Sequence, residues 1–68
     1  MKIYFRDFYS GETKTVEPIL RSGNRTKNGK HEIFASAVIS PTCTIQSYGW
    51  GISDAMLNLQ CTADITFQ

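Results

Sequence analysis

Histidine and tryptophan each occur once in this 68-residue chain, and cysteine, proline and methionine twice each. A structural zinc needs about four ligands, and His31, Cys43 and Cys61 are too few soft ones to build a site. No metal and no cofactor are expected. No apolar run approaches the ~18 residues that span a bilayer, so no membrane partner is expected either. The opening stretch from Met1 to Tyr9 carries Lys2, Arg6 and Asp7 and no long apolar run, which argues against a secretory leader and for a cytoplasmic chain. The carboxylates Asp7, Glu12, Glu17, Glu32, Asp54 and Asp64 lack a paired spacing suited to acid–base work or calcium binding. Gly49–Trp50–Gly51 lacks the lysine of a phosphate-cradling loop, and no nucleophile motif surrounds any serine or cysteine. His31, between Lys30 and Glu32, reads as a surface histidine. An enzyme is not expected.

The length admits one domain, residues 1–68, and a chain of this size buries only ~60% of its unfolded surface. A staple or a second subunit is a common remedy, and a symmetric homodimer is expected here. With 41% hydrophobic and 19% charged residues the composition is globular. Net charge is only +1, too small for a chain that wraps nucleic acid over its whole surface. That charge is unevenly spread. Residues 1–32 hold all seven cations and four acids, a net of +3, whereas residues 33–68 hold Asp54 and Asp64 alone. Such a skew orients a partner or another copy.

Hydrophobic alternation predicts five strands. The longest alternation runs from Leu57 through Leu59, Cys61, Ala63, Ile65 and Phe67, with Asn58, Gln60, Thr62, Asp64 and Thr66 between them. It predicts a strand over 57–67 with the first set facing the core. Ser53 and Asp54 followed by Ala55, Met56 and Leu57 allow a competing helix over about 53–63. Strands are also predicted at 2–9 and 13–20, joined through Gly11, with Pro18 marking an edge or an end. Residues 31–39 are apolar on both faces and read as the central strand, in which Ala35 and Ala37 invite close approach by another element. Ser40–Pro41 breaks that run, 42–48 resumes it, and Gly49–Trp50–Gly51 turns the chain again.

Between the second and third strands, residues 21–30 hold Arg21, Arg25, Lys27 and Lys30, two glycines, two asparagines and neither acid nor apolar residue. This composition predicts a mobile, exposed hairpin tip. Its four cations, with Tyr48 and Trp50 flanking a glycine turn, are the candidate partner-binding residues, since tyrosine, tryptophan and arginine dominate binding hot spots. Cys43 and Cys61 both fall at inward-facing positions. They form either a disulfide or, in a reducing compartment, a pair of buried thiols, and the second is preferred.

Pro41-Thr42-Cys43, followed by Asp54-Ala55 and Leu57-Asn58-Leu59, resembles the end of HicB-type antitoxins, where a strand leads into a helix; here the Tyr48–Gly51 segment is inserted. The opening, with Lys2-Ile3, Phe5, Thr13, Thr15 and Val16, resembles Shiga-type toxin B subunits without the long helix of that fold. Neither resemblance covers half of the chain, and neither carries a functional expectation.

The expected architecture is all-β, a five-stranded antiparallel meander or small barrel of the SH3 or OB type, with an α+β arrangement as the alternative. The expected function is non-catalytic protein–protein interaction. Stand-alone domains of this size are typical of phage or mobile-element accessory proteins that bind and inhibit a host or defence protein. Two alternatives are a small nucleic-acid-binding barrel using loop 21–30 and a structural subunit of an assembly.

Overall fold

A computed structural model describes residues 1–67. It contains five strands and one helix: β1 (Ile3–Arg6), β2 (Thr13–Val16), β3 (Ile19–Lys27), β4 (Lys30–Ser40), β5 (Cys43–Trp50) and α1 (Ile52–Thr66). All pairings are antiparallel. β1 and β2 form one hairpin, and β3, β4 and β5 form a three-stranded sheet in sequence order. The two sheets do not close into a barrel. The molecule is mostly β with a C-terminal helix.

The turns follow from local chemistry. Asn28 and Gly29 adopt φ of 51° and 77°, the left-handed pair that a two-residue hairpin turn requires. Lys27 and Lys30 therefore pair across it, and most of the segment expected to be a mobile loop is strand. Polar composition concealed this because both faces of that hairpin end are solvated. The expected strand over 13–20 divides at Glu17–Pro18, since Pro18 has no N–H to give a ladder. The expected strand over 2–9 stops at Arg6. Beyond it the Asp7 carboxylate accepts hydrogen bonds from the Ser10 N–H (3.3 Å) and hydroxyl (2.8 Å) and meets Lys14 at 3.1 Å. This network stiffens the turn that presents Phe8 and Tyr9.

The principal correction is at the C-terminal segment: residues 52–66 form a helix, close to the competing reading over 53–63 and not the strand over 57–67. Gly51 starts it at φ 107°, a conformation that favours glycine. Its N–H completes the ladder by donating to the His31 carbonyl (2.8 Å), and Asp54 reaches back to accept from the Trp50 N–H (2.9 Å). Ala55, Leu59 and Ala63 recur every four residues and are fully buried against the sheet.

The core lies between that stripe and one face of the sheet. It comprises Ile3, Ala35, Ala37, Ile45, Ala55, Leu59 and Ala63, with Phe5, Val16, Leu20, Ile33 and Phe67 packed around it. Small residues set the separation of the layers. A Cβ on Gly49 would lie 2.6 Å from the Asp54 carbonyl carbon and still closer to the Ala55 nitrogen, so the helix passes directly over a bare backbone. Two helix side chains cover the exposed strand edges. Gln60 accepts from the Tyr4 N–H (2.9 Å) and donates to the Tyr4 carbonyl (2.8 Å), as a neighbouring strand would, and Asn58 donates to the Tyr48 carbonyl (2.7 Å). Such covering limits edge-to-edge pairing.

Cys61, expected to face inward, is exposed on the helix, and Cys43 is half-buried; both are free thiols. The molecule measures 42 × 19 × 18 Å with a radius of gyration of 12.6 Å, more drawn out than the roughly 11 Å of a compact chain this long. The long β3–β4 hairpin supplies that length. No helix among the described residues is long and apolar enough to cross a membrane.

Candidate functional site, an open sheet face

Residues directly opposite in neighbouring strands share a face. The register pairs Arg21 with Phe34, Phe34 with Tyr48, Glu32 with Trp50, Ile19 with Ser36, Ser36 with Gln46, and Val38 with Thr44. All of these lie on the face turned away from the helix. No element of the described chain covers it. Phe34 is 41% exposed, Tyr48 49%, Val38 56% and Ile19 59%, an unusual display of bulk for a chain with so small a core.

The face grades along its length. Ile19 and Val38 give it an aliphatic end. In the middle the rings of Phe34 and Tyr48 sit 6.1 Å apart at 42°, with Arg21 across from Phe34. At the far end the Arg25 guanidinium lies 5.6 Å and the Lys27 ammonium 5.9 Å from the centre of the Trp50 ring. A shallow cleft of about 300 Å³ there is lined by Lys27, Asn28, Lys30, Trp50 and Asp54.

The six candidate residues are thus gathered on one surface: Arg21 and Tyr48 about its middle, Arg25, Lys27, Lys30 and Trp50 at its end. Trp50 is the last residue of β5 and half-buried, not the tip of a turn. The sequence reading missed Phe34, which belongs to the same surface. Its alternation with Ala35 and Ala37 placed it on the opposite face of the central strand, and only the belief that both faces were covered hid its exposure.

Glu32 was also missed. It is the one charged residue buried among those described, 3% exposed. One carboxylate oxygen accepts from Arg25 Nε (2.9 Å) and from Arg25 Nη2 in a short contact. These hydrogen bonds, and then the charge of Glu32, hold the guanidinium more firmly protonated than usual. The opposing strand makes room for the carboxylate at Gly23, where a Cβ would strike Glu32 Oε1 and come within 2.9 Å of both Glu32 Cγ and Phe34 Cε2. A register shift between Ser22 and Thr26 accompanies this arrangement.

His31 is exposed at the sheet end, and among the described residues no group of three or more His, Cys, Asp or Glu side chains gathers. Compared with family models, curated proteins and solved structures, the chain matches none.

Proposed function

We propose that this chain is a non-catalytic protein-interaction module that acts by occupying a surface of another protein through the open face of its three-stranded sheet. The observation that supports it most is the exposure of Ile19, Phe34, Val38 and Tyr48 on one helix-free face. Side chains of this size left in water cost free energy that a partner recovers by covering them, at about 25 cal/mol per Å² of apolar area. Aromatics in the centre with cations toward one end match the make-up of a binding hot spot and its rim.

One observation favours a second reading, a single-stranded nucleic acid. Phe34 and Tyr48 stand side by side on adjacent strands with Arg21 across from Phe34, and bases stack on such rings while phosphates meet the cations. The experiment separates the two. The chain and its Phe34→Ser, Tyr48→Ser double variant are immobilised and exposed to a bacterial lysate, and retained proteins are identified by mass spectrometry. A discrete protein held by the first and released by the second, with both folded, supports the interaction module. A gel shift with random single-stranded oligonucleotides supports the second reading if it weakens steeply with salt and vanishes in a variant with Arg21, Arg25, Lys27 and Lys30 all changed to Ser.

A further inference from the structure

A buried carboxylate on a face otherwise open to water needs a reason. Glu32 lies beneath Arg25, and the two differ sharply: the arginine side chain is 66% exposed and that of the glutamate 4%. The pair uses one fork of the guanidinium, Nε and Nη2, on a single Glu32 oxygen. The other fork, Nη1 with the second proton of Nη2, remains free, and this is the geometry that receives a carboxylate through two parallel hydrogen bonds. The indole of Trp50 fixes the guanidinium from a second side, 5.6 Å from its centre. A side chain that ordinarily loses much rotamer freedom on binding is therefore already held in place.

The charges nearby add to this. Lys27 and Lys30 line the adjoining cleft, and neither belongs to either of the two salt bridges among the described residues. Asp54 also lines the cleft and accepts from the Trp50 N–H, and Glu32 lies beneath Arg25, so three cations stand against two carboxylates at this end. The end of the sheet thus offers positive charge to an incoming anion beside an apolar platform.

We propose that Arg25, set by Glu32 and Trp50, receives a carboxylate of an acidic peptide segment of the partner, while apolar side chains of that segment cover Phe34 and Tyr48. This deepens the interaction-module reading and rests on it. A peptide fits better than a nucleic acid on two grounds. The largest ring of the face already carries two cations within 6 Å of its centre, so it offers a base less room to stack. Ile19 and Val38 extend the platform with aliphatic groups, which pack side chains and do not stack bases.

The test uses the full chain labelled with ¹⁵N and three probes. These are a blocked ten-residue peptide of Glu alternating with Leu and Phe, its counterpart with Gln in place of Glu, and a ten-nucleotide oligothymidylate. The expected result is that the acidic peptide moves the Arg25 Nε–H and Trp50 indole N–H resonances together with the amides of Phe34 and Tyr48. The Gln peptide should bind about tenfold more weakly, and Arg25→Lys should lose a similar factor for the acidic peptide, because an ammonium cannot replace the fork. Lys14→Gln, a cation outside the face, should change nothing. Equal binding of the Gln and Glu peptides at Phe34 and Tyr48, with Arg25 unmoved, overturns the carboxylate receptor and leaves the interaction module standing. Resonances moved only by the oligonucleotide overturn both. Silence with all three probes at millimolar concentration overturns the receptor, and the lysate comparison then judges the module alone.

Discussion

The two faces of the three-stranded sheet invert the usual distribution of size. The helix-covered face carries Ala35, Ala37, Ile45 and Gly49, whereas the open face carries Phe34, Val38, Tyr48 and Trp50. Position accounts for the difference. Fifteen helical residues must lie against the inner face, and small side chains let the backbones approach until Leu59 and Ile3 fill what space remains. No such limit acts outside, where bulk has nothing to collide with and no core to serve. Small residues on a covered face are a packing solution, while large residues on an uncovered one serve no packing and are what the proposed binding role rests on.

The severest way to break this contrast is Leu59→Asp. It places a charge in the fully buried centre of the helix stripe, with no partner in reach, and the domain should lose its cooperative unfolding transition by circular dichroism. Gly49→Ala should come next. The added methyl meets backbone of Asp54 and Ala55, which cannot swing aside as a side chain would, and a loss of about 1–3 kcal/mol in urea unfolding is expected. An unchanged midpoint would show that the helix does not ride close to the sheet. On the other face, Phe34→Ser with Tyr48→Ser should alter stability by no more than about 1 kcal/mol while removing partner binding. A large loss of stability there would mean that the outer rings are structural and that the faces are less different than described.

The smallest effect belongs to a region outside both faces. Hydrogen bonds from Ser10 and then from Lys14 hold the Asp7 carboxyl below its ordinary value of 3.8. A depressed carboxylate contributes stability that is complete above 3.8 and is lost as pH falls through its lower value in the folded chain. Once the intrinsic slowing of amide exchange in acid is divided out, the protection of the Phe8, Tyr9 and Ser10 amides should therefore fall through that window, and Asp7→Asn should remove the dependence. Protection in β4 should stay as it was.

Much of the sheet was legible. The central strand, its small inner residues, the Gly11 turn and the break at Ser40–Pro41 follow from alternation and turn chemistry, and each is found. The helix was misread for a definite reason. Its buried stripe, Ala55–Leu59–Ala63, and an exposed stripe, Leu57–Cys61–Ile65, both repeat every four residues and are offset by two. Their sum has a period of two over that stretch, the signature of a strand. Leu57 at 62% and Ile65 at 70% exposure supplied the misleading half of the pattern. The β3–β4 hairpin carried a usable sign in Asn28–Gly29, overridden by the polarity around it. The six site residues could be chosen by type, but their meeting on one surface depends on register, and Glu32 depends on the absence of a side chain at Gly23. Neither is a property of local sequence.

The tie between Gln60 and Tyr4 joins positions 56 residues apart, and Ile3 reaches its buried place only when Leu59 is present to share it. During synthesis at about 5–20 residues per second, Ile3 waits roughly 3–11 s for that neighbour to be made. The open face has no such delay. It is assembled from residues 19–50, by two hairpins between neighbouring strands, all of them made ahead of the helix. Short-range pairing closes fastest, so the strands of the open face can pair before the helix is made, and the interior that supports them is completed last.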